Sequence, residues 1–134
     1  MTTAEKATGL SRIGQITMTV RDVRTAVAFY RDVLGLSFLF EAPPSLAFFD
    51  CGGIRLMLAP VETTGPLAGK SLTPALYFAV DDIHETARVL AARGVTFEGA
   101  PHVVAKLAHA DLWLADFRDL DGNIQVLMSE VPRA

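Results

Sequence analysis

The chain has 134 residues, about half of them apolar and a fifth charged, with a net charge of −3. That is the length of one ordinary domain and the composition of a globular chain, not a disordered one. Basic and acidic residues are interspersed, so no basic stripe is offered to nucleic acid or to an anionic membrane surface.

Cys51 is the single cysteine, so an internal disulfide is excluded and a reducing compartment is expected. The opening "MTTAEKATGLSR" lacks the apolar stretch of a secretory signal and reads as a polar, frayed end. No apolar run is long enough to span a bilayer. The expectation is a soluble cytoplasmic protein.

In chain order, "QITMTV" (15–20) alternates, with Ile16, Met18 and Val20 on one side, which predicts a strand. Asp22 is a good helix N-cap, and Val23, Ala26, Val27, Tyr30 and Leu34 follow at helical spacing up to Gly35. "LSFLFEA" (36–42) is extended and ends at Pro43-Pro44. "LAFFD" (46–50) and "IRLMLA" (54–59) are strands joined by a tight Gly52-Gly53 hairpin. The Pro-, Gly- and Thr-rich segment at about 61–73 reads as a linker.

The pattern then restarts. "ALYFAV" (75–80) is a strand, and Asp82 with Glu85 has capping-box spacing before a helix that ends at Gly94. "VTFEGAP" (95–101) is extended and predicts the sixth strand. "DLWLADF" (111–117) and "NIQVLMS" (123–129) are strands joined through Asp121-Gly122. "TVRDV" (19–23) is answered by "AVDDI" (79–83), "GLSF" by "GVTF" and "EAP" by "GAP". The chain therefore reads as a βαβββ unit used twice, module 1 at about 13–60 and module 2 at about 74–130, in one α+β domain over 1–134.

With "TVRDVRTAVAFYRDVLGL" (19–36) and "FRDLDGN" (117–123), the paired units resemble the glyoxalase/bleomycin-resistance/dioxygenase group, the vicinal oxygen chelate superfamily, over about 13–129. The resemblance implies two tandem βαβββ modules forming a curved mixed sheet around a cleft. It leaves activity open, because that scaffold carries isomerases, epimerases, dioxygenases, thiol transferases and drug-binding proteins.

In metal-using members, ligands come from the first and fourth strands of each unit. The resemblance puts those places at Gln15, Met57, Ala75 and Val126. Only Gln15 carries a hard donor, whereas a dication needs several oxygen or nitrogen ligands. The expectation is a protein with no metal and no cofactor.

Strand alternation assigns Gln15, Thr17, Thr19, Arg55, Met57, Ala59, Ala75, Tyr77, Ala79, Ile124, Val126 and Met128 to the cleft side. Most are small or apolar, as in a small-molecule pocket. Met57 and Met128 adapt to irregular apolar shapes, Arg55 suits a carboxylate or phosphate, and Tyr77 can stack. Packing between sheets or between chains is the competing explanation for each. Gln125 falls on the opposite side without a stated role.

His84 reads as a solvated helix residue. His102 and His109 bracket "VVAKLA" before the seventh strand, in a loop that would bring them and Trp113 over the cleft mouth. Histidine moves protons near neutral pH, so His102 and His109 are catalytic candidates. Asp116, a carboxylate within an apolar strand, is a third. Nothing supports nucleophilic catalysis.

Three functions follow. The first is sequestration of a small, largely apolar ligand at Gln15, Thr17, Arg55, Met57, Tyr77, His102, His109, Trp113, Val126 and Met128. The second is lyase, isomerase or epimerase chemistry, metal-independent or with a displaced metal, using His102 or His109 as proton carrier. The third is an interaction module whose cleft is a dimer seam. The resemblance implies a homodimer, since short two-unit chains of this group commonly pair.

Overall fold

The structure, a computed structural model, describes residues 9–66, 68–70 and 73–133. Residues 1–8 of the opening segment, and positions 67, 71 and 72 of the expected linker, lie outside the described residues.

The first half runs β1 (Gln15–Val20), α1 (Val23–Ala28), β2 (Ser37–Ala42), β3 (Leu46–Cys51) and β4 (Ile54–Pro60). The second runs β5 (Leu76–Ala79), α2 (Ile83–Ala92), β6 (His102–Lys106), β7 (Ala110–Arg118) and β8 (Ile124–Pro132). The strands form two mixed four-stranded sheets, ordered β1-β4-β3-β2 and β5-β8-β7-β6. In each sheet the first and last strands of the unit are parallel and the other pairings antiparallel. This is an α+β fold built from a repeated βαβββ unit.

Local chemistry sets the boundaries. The Asp22 carboxylate accepts the Thr25 amide at 3.0 Å, and Asp82 does the same for Glu85. The capping box at α2 is half formed, because the Glu85 carboxylate turns to Arg88 instead. Gly52 and Gly53 both take positive φ (63° and 92°), which lets two residues reverse the chain between β3 and β4.

α1 does not run to Leu34 as an α-helix. It gives way to a π-helical turn over Phe29–Val33, with the Leu34 amide donating to Phe29 O at 3.0 Å. The sequence holds the reason. Asp22 to Gly35 spans thirteen steps, and Asp82 to Gly94 only twelve. The wider turn absorbs the additional residue in a helix otherwise equivalent to α2.

The second half corrects the sequence reading. Residues 95–101 are not the sixth strand; one bridge, Phe97 to Phe117, is all their pairing. The sixth strand is His102–Lys106, where the sequence pattern predicts a loop. Phe38 pairs with Phe49 as Phe97 pairs with Phe117, so "GLSF" and "GVTF" are true counterparts. "EAP" and "GAP" are not: Glu41-Ala42 closes β2, whereas Gly99-Ala100-Pro101 is an excursion before β6. Proline lacks the amide a ladder needs, which favours the detour there.

The helices cover one side of both sheets. A single core cluster joins Met18, Val20, Phe49, Leu56 and Leu58 to Phe117 and Leu127, under Val27, Ile83 and Leu90. Among the described residues no helix is long and apolar enough to cross a membrane.

Candidate functional site

The helix-free side of the first sheet carries a connected row of side chains. Register places Gln15 beside Arg55 and Thr17 beside Met57 on β1 and β4, and Met57 opposite Phe48 on β3. Phe48 lies opposite Phe40 on β2. Arg55 Nε donates to Gln15 Oε1 at 2.9 Å, and the guanidinium carbon stands 5.2 Å from the Phe48 ring centre. Phe48 stacks on Phe40 at 4.6 Å and 27°. Gln15 Nε2 points at the Met57 sulfur at 3.8 Å.

The second sheet adds an apolar counterpart. Tyr77 pairs with Val126, which pairs with Asp116, while Ala79 and Leu114 flank Met128. Phe48 and Val126 are buried, yet they are the two buried apolar side chains outside the core cluster among the described residues. Phe48 lies on the helix-free side of the first sheet and Val126 on that of the second. Tyr77 is 55% exposed at its edge.

The four metal positions implied by the resemblance do not fit an ion. Gln15 Oε1, the one hard donor, already accepts a hydrogen bond from a guanidinium. Met57 offers a thioether, and Ala75 and Val126 have no side-chain donor. A cation placed at Gln15 would sit against the positive charge of Arg55. No group of three or more His, Cys, Asp or Glu suited to a metal exists among the described residues.

The histidines and Trp113 are not brought together over a mouth. His102 lies opposite Leu114, which puts it on the helix-free side, diagonal to Asp116. Its Nδ1 is 3.1 Å from Ala100 O. His109 sits in the turn between β6 and β7, its carbonyl accepting the Arg133 amide. Trp113 faces the other way: it packs against the core, with its ring edge-on to His84 at 4.8 Å. Period two decides this, because Trp113 and Leu114 are consecutive on β7. His84 is exposed, as expected, but its ring has this aromatic neighbour.

Sequence reasoning missed a buried polar junction. Tyr30 OH donates to Asp119 Oδ2 at 2.7 Å, and Asp119 also accepts the amides of Asp121 and Asn123 and the Asn123 side chain. Burial, followed by the Asp119 charge, pushes the Tyr30 phenol far above its ordinary range. Asn123 Nδ2 reaches Thr19 O at 3.4 Å, and Arg21 grips Asp121. The Phe-Tyr and Asp-x-Asp-Gly-Asn signatures therefore meet in one joint between the halves, on the core side. Gln125 belongs to it, donating to Tyr30 OH at 3.4 Å while its Oε1 has no partner among the described residues. Thr19 and Thr73 hydroxyls lie 3.2 Å apart nearby.

A concavity of about 600 Å³ lies between β1, β4 and β5. Ile16, Ile54, Leu56, Leu76, Tyr77 and Phe78 line it, with Cys51. Burial and the neighbouring Asp50 charge raise the Cys51 thiol, which suppresses its thiolate.

Comparison with known proteins agrees with this architecture. The family model described as Glyoxalase/Bleomycin resistance protein/Dioxygenase superfamily matches residues 12–125. "Uncharacterized protein YraH" of Bacillus subtilis (strain 168) is 34% identical over 124 residues, covering 82% of this chain and 91% of that protein. Among solved structures, a lactoylglutathione lyase from Agrobacterium tumefaciens superposes with a TM-score of 0.71 at 24% identity, over 90% of this chain and 95% of that one. Virulence protein STM3117 from Salmonella typhimurium gives 0.73 at 23% identity, over 92% and 99%. At such identities the two structures establish the shared fold alone.

Proposed function

We propose a binding role for this chain, which belongs to the Glyoxalase/Bleomycin resistance protein/Dioxygenase superfamily: its helix-free side takes a small, largely apolar molecule without a metal ion as the grip. The observation that carries this reading is the pair of buried apolar side chains outside the core cluster, Phe48 on the helix-free side of the first sheet and Val126 on that of the second. Thr17, Met57, Tyr77 and Met128 complete an apolar surface with few polar groups, the usual make-up of a ligand site. Thioether side chains fit irregular shapes without a fixed rotamer demand. One core cluster spanning both halves supports treating the chain as a single domain. A homodimer is part of the proposal, as is a reducing, cytoplasmic setting for the free Cys51.

The test is an NMR titration with 2-naphthol. The expected result is perturbation of Thr17, Met57 and Met128. Perturbation confined to Ile54, Leu76 and Phe78 would move binding to the groove beside β5 and contradict the assignment.

A second reading, proton-transfer chemistry of the lyase, isomerase or epimerase kind, has one observation in its favour. His102 and Asp116 share the helix-free side on neighbouring strands. It requires a substrate whose turnover is lost in His102→Ala or Asp116→Asn while binding survives. If turnover instead depends on His109→Ala alone, the proton carrier lies in the β6–β7 turn.

A further inference from the structure

We infer that the molecule held on the helix-free side is a planar aromatic carboxylate, with Arg55 as its anion anchor. This rests on the binding role above and specifies the chemistry of what is bound.

Arg55, like Arg12, Arg24 and Arg93, has no acidic partner among the described residues, whereas Arg21, Arg31, Arg88, Arg118 and Arg133 are each ion-paired; unlike those three, it lies on the helix-free side. Its register partner Asp50 is the obvious candidate, but the Asp50 carboxylate accepts the Gly53 amide at 3.2 Å instead. A guanidinium at a surface with a carboxylate within strand-pairing reach, yet paired to a neutral amide, keeps its charge for something else.

The side chain is also held in place. Gln15 Oε1 fixes Nε, and the Phe48 face supports the guanidinium. The two terminal nitrogens make no hydrogen bond to described residues, so that end of the fork is free for a bidentate carboxylate. Holding the fork beforehand lowers the ordering cost of binding.

The aromatic part of the assignment comes from the neighbours. Phe48 stacks on Phe40, and Phe40 is 45% exposed. Met57 lies opposite Phe48. Charge and aromatic surface therefore adjoin, and an aromatic acid satisfies both at once. A cationic ligand would meet the Arg55 charge. The other half has no such fork: by register, Ala75, Ile124 and Asp116 stand where the first half has Gln15, Arg55 and Phe48. The expectation is one carboxylate per chain.

The experiment is calorimetric titration of wild-type protein, Arg55→Met and Arg55→Lys with 2-naphthoate and its neutral amide, 2-naphthamide. Wild type should bind the carboxylate about tenfold or more tighter than the amide. Arg55→Met should erase that difference, weakening the carboxylate far more than the amide. Arg55→Lys should fall between, since an ammonium keeps the charge but not the fork. It also supplies the readout if Arg55→Met is poorly folded. Equal affinities of wild type for the two compounds overturn the anchor and leave the binding role standing. Absence of binding by either overturns both.

Discussion

The Tyr30 hydroxyl donates a 2.7 Å hydrogen bond to Asp119 Oδ2, linking the π turn after α1 to the turn between β7 and β8. The two residues are 89 positions apart, and both are buried. Asp119 is the hub, since three further donors from Asp121 and Asn123 converge on it. Tyr30→Phe leaves a buried carboxylate short of one donor and should cost about 1–3 kcal/mol in urea unfolding. Asp119→Ala strips four donors of their acceptor and should cost more, about 2–4 kcal/mol. The double variant should lose less than the sum, because the shared bond can be broken only once.

The same pair sets an alkaline limit. In the unfolded chain the Tyr30 phenol loses its proton near its ordinary value of 10.0. In the folded protein burial and Asp119 keep it protonated well beyond that. A raised folded value means the stabilisation is intact below about pH 10 and is lost as pH rises further. Stability should fall by up to about 1.4 kcal/mol per pH unit above pH 10 from this residue alone. Tyr30→Phe should remove that part of the slope, as read by unfolding at pH 9, 10 and 11.

Gln125 gives a prediction of opposite sign. Its Oε1 is buried without a partner among the described residues, and the equivalent position in the other half is Leu56. Gln125→Leu keeps the Tyr30–Asp119 bond and removes the orphaned oxygen. It should be neutral or stabilising by up to about 2 kcal/mol. A loss of more than that in thermal unfolding would mean that the amide does more for the joint than its bonds to Tyr30 OH at 3.4 Å and Met18 Sδ at 3.8 Å indicate.

Trp113, packed against the core beside His84, should report on folding rather than binding. Trp113→Ala should cost about 2–4 kcal/mol, as removal of a largely buried aromatic does, while 2-naphthol affinity stays within about twofold of wild type. His84→Ala should shift Trp113 emission because the two rings touch.

These outcomes separate what the sequence carried from what it could not. Alternation on β1 and β4 and the two aspartate caps were readable locally, since each depends on residues a few positions apart. The sixth strand was misread because the excursion at Gly99-Ala100-Pro101 breaks the match between the halves just where the strand was sought. Trp113 was assigned to the ligand side by its nearness to His109 in sequence, although alternation along β7 turns it to the core. Gln125 and the Tyr30–Asp119 joint were invisible for a different reason: they meet only when the two units pack. The Arg55–Gln15 bond spans 40 residues, so the sequence showed a missing metal set but not the internal cation beside its one donor.

That internal cation is the centre of the account, and native mass spectrometry of protein purified without added metal tests it most directly. The expected spectrum shows chains free of divalent metal. After incubation with 2-naphthoate it shows one adduct per chain, weakened in Arg55→Met to the level of the 2-naphthamide adduct. A stoichiometric zinc, nickel, iron or manganese ion that disappears in Gln15→Ala would contradict the account, because it would mean that Arg55 yields its place to a metal.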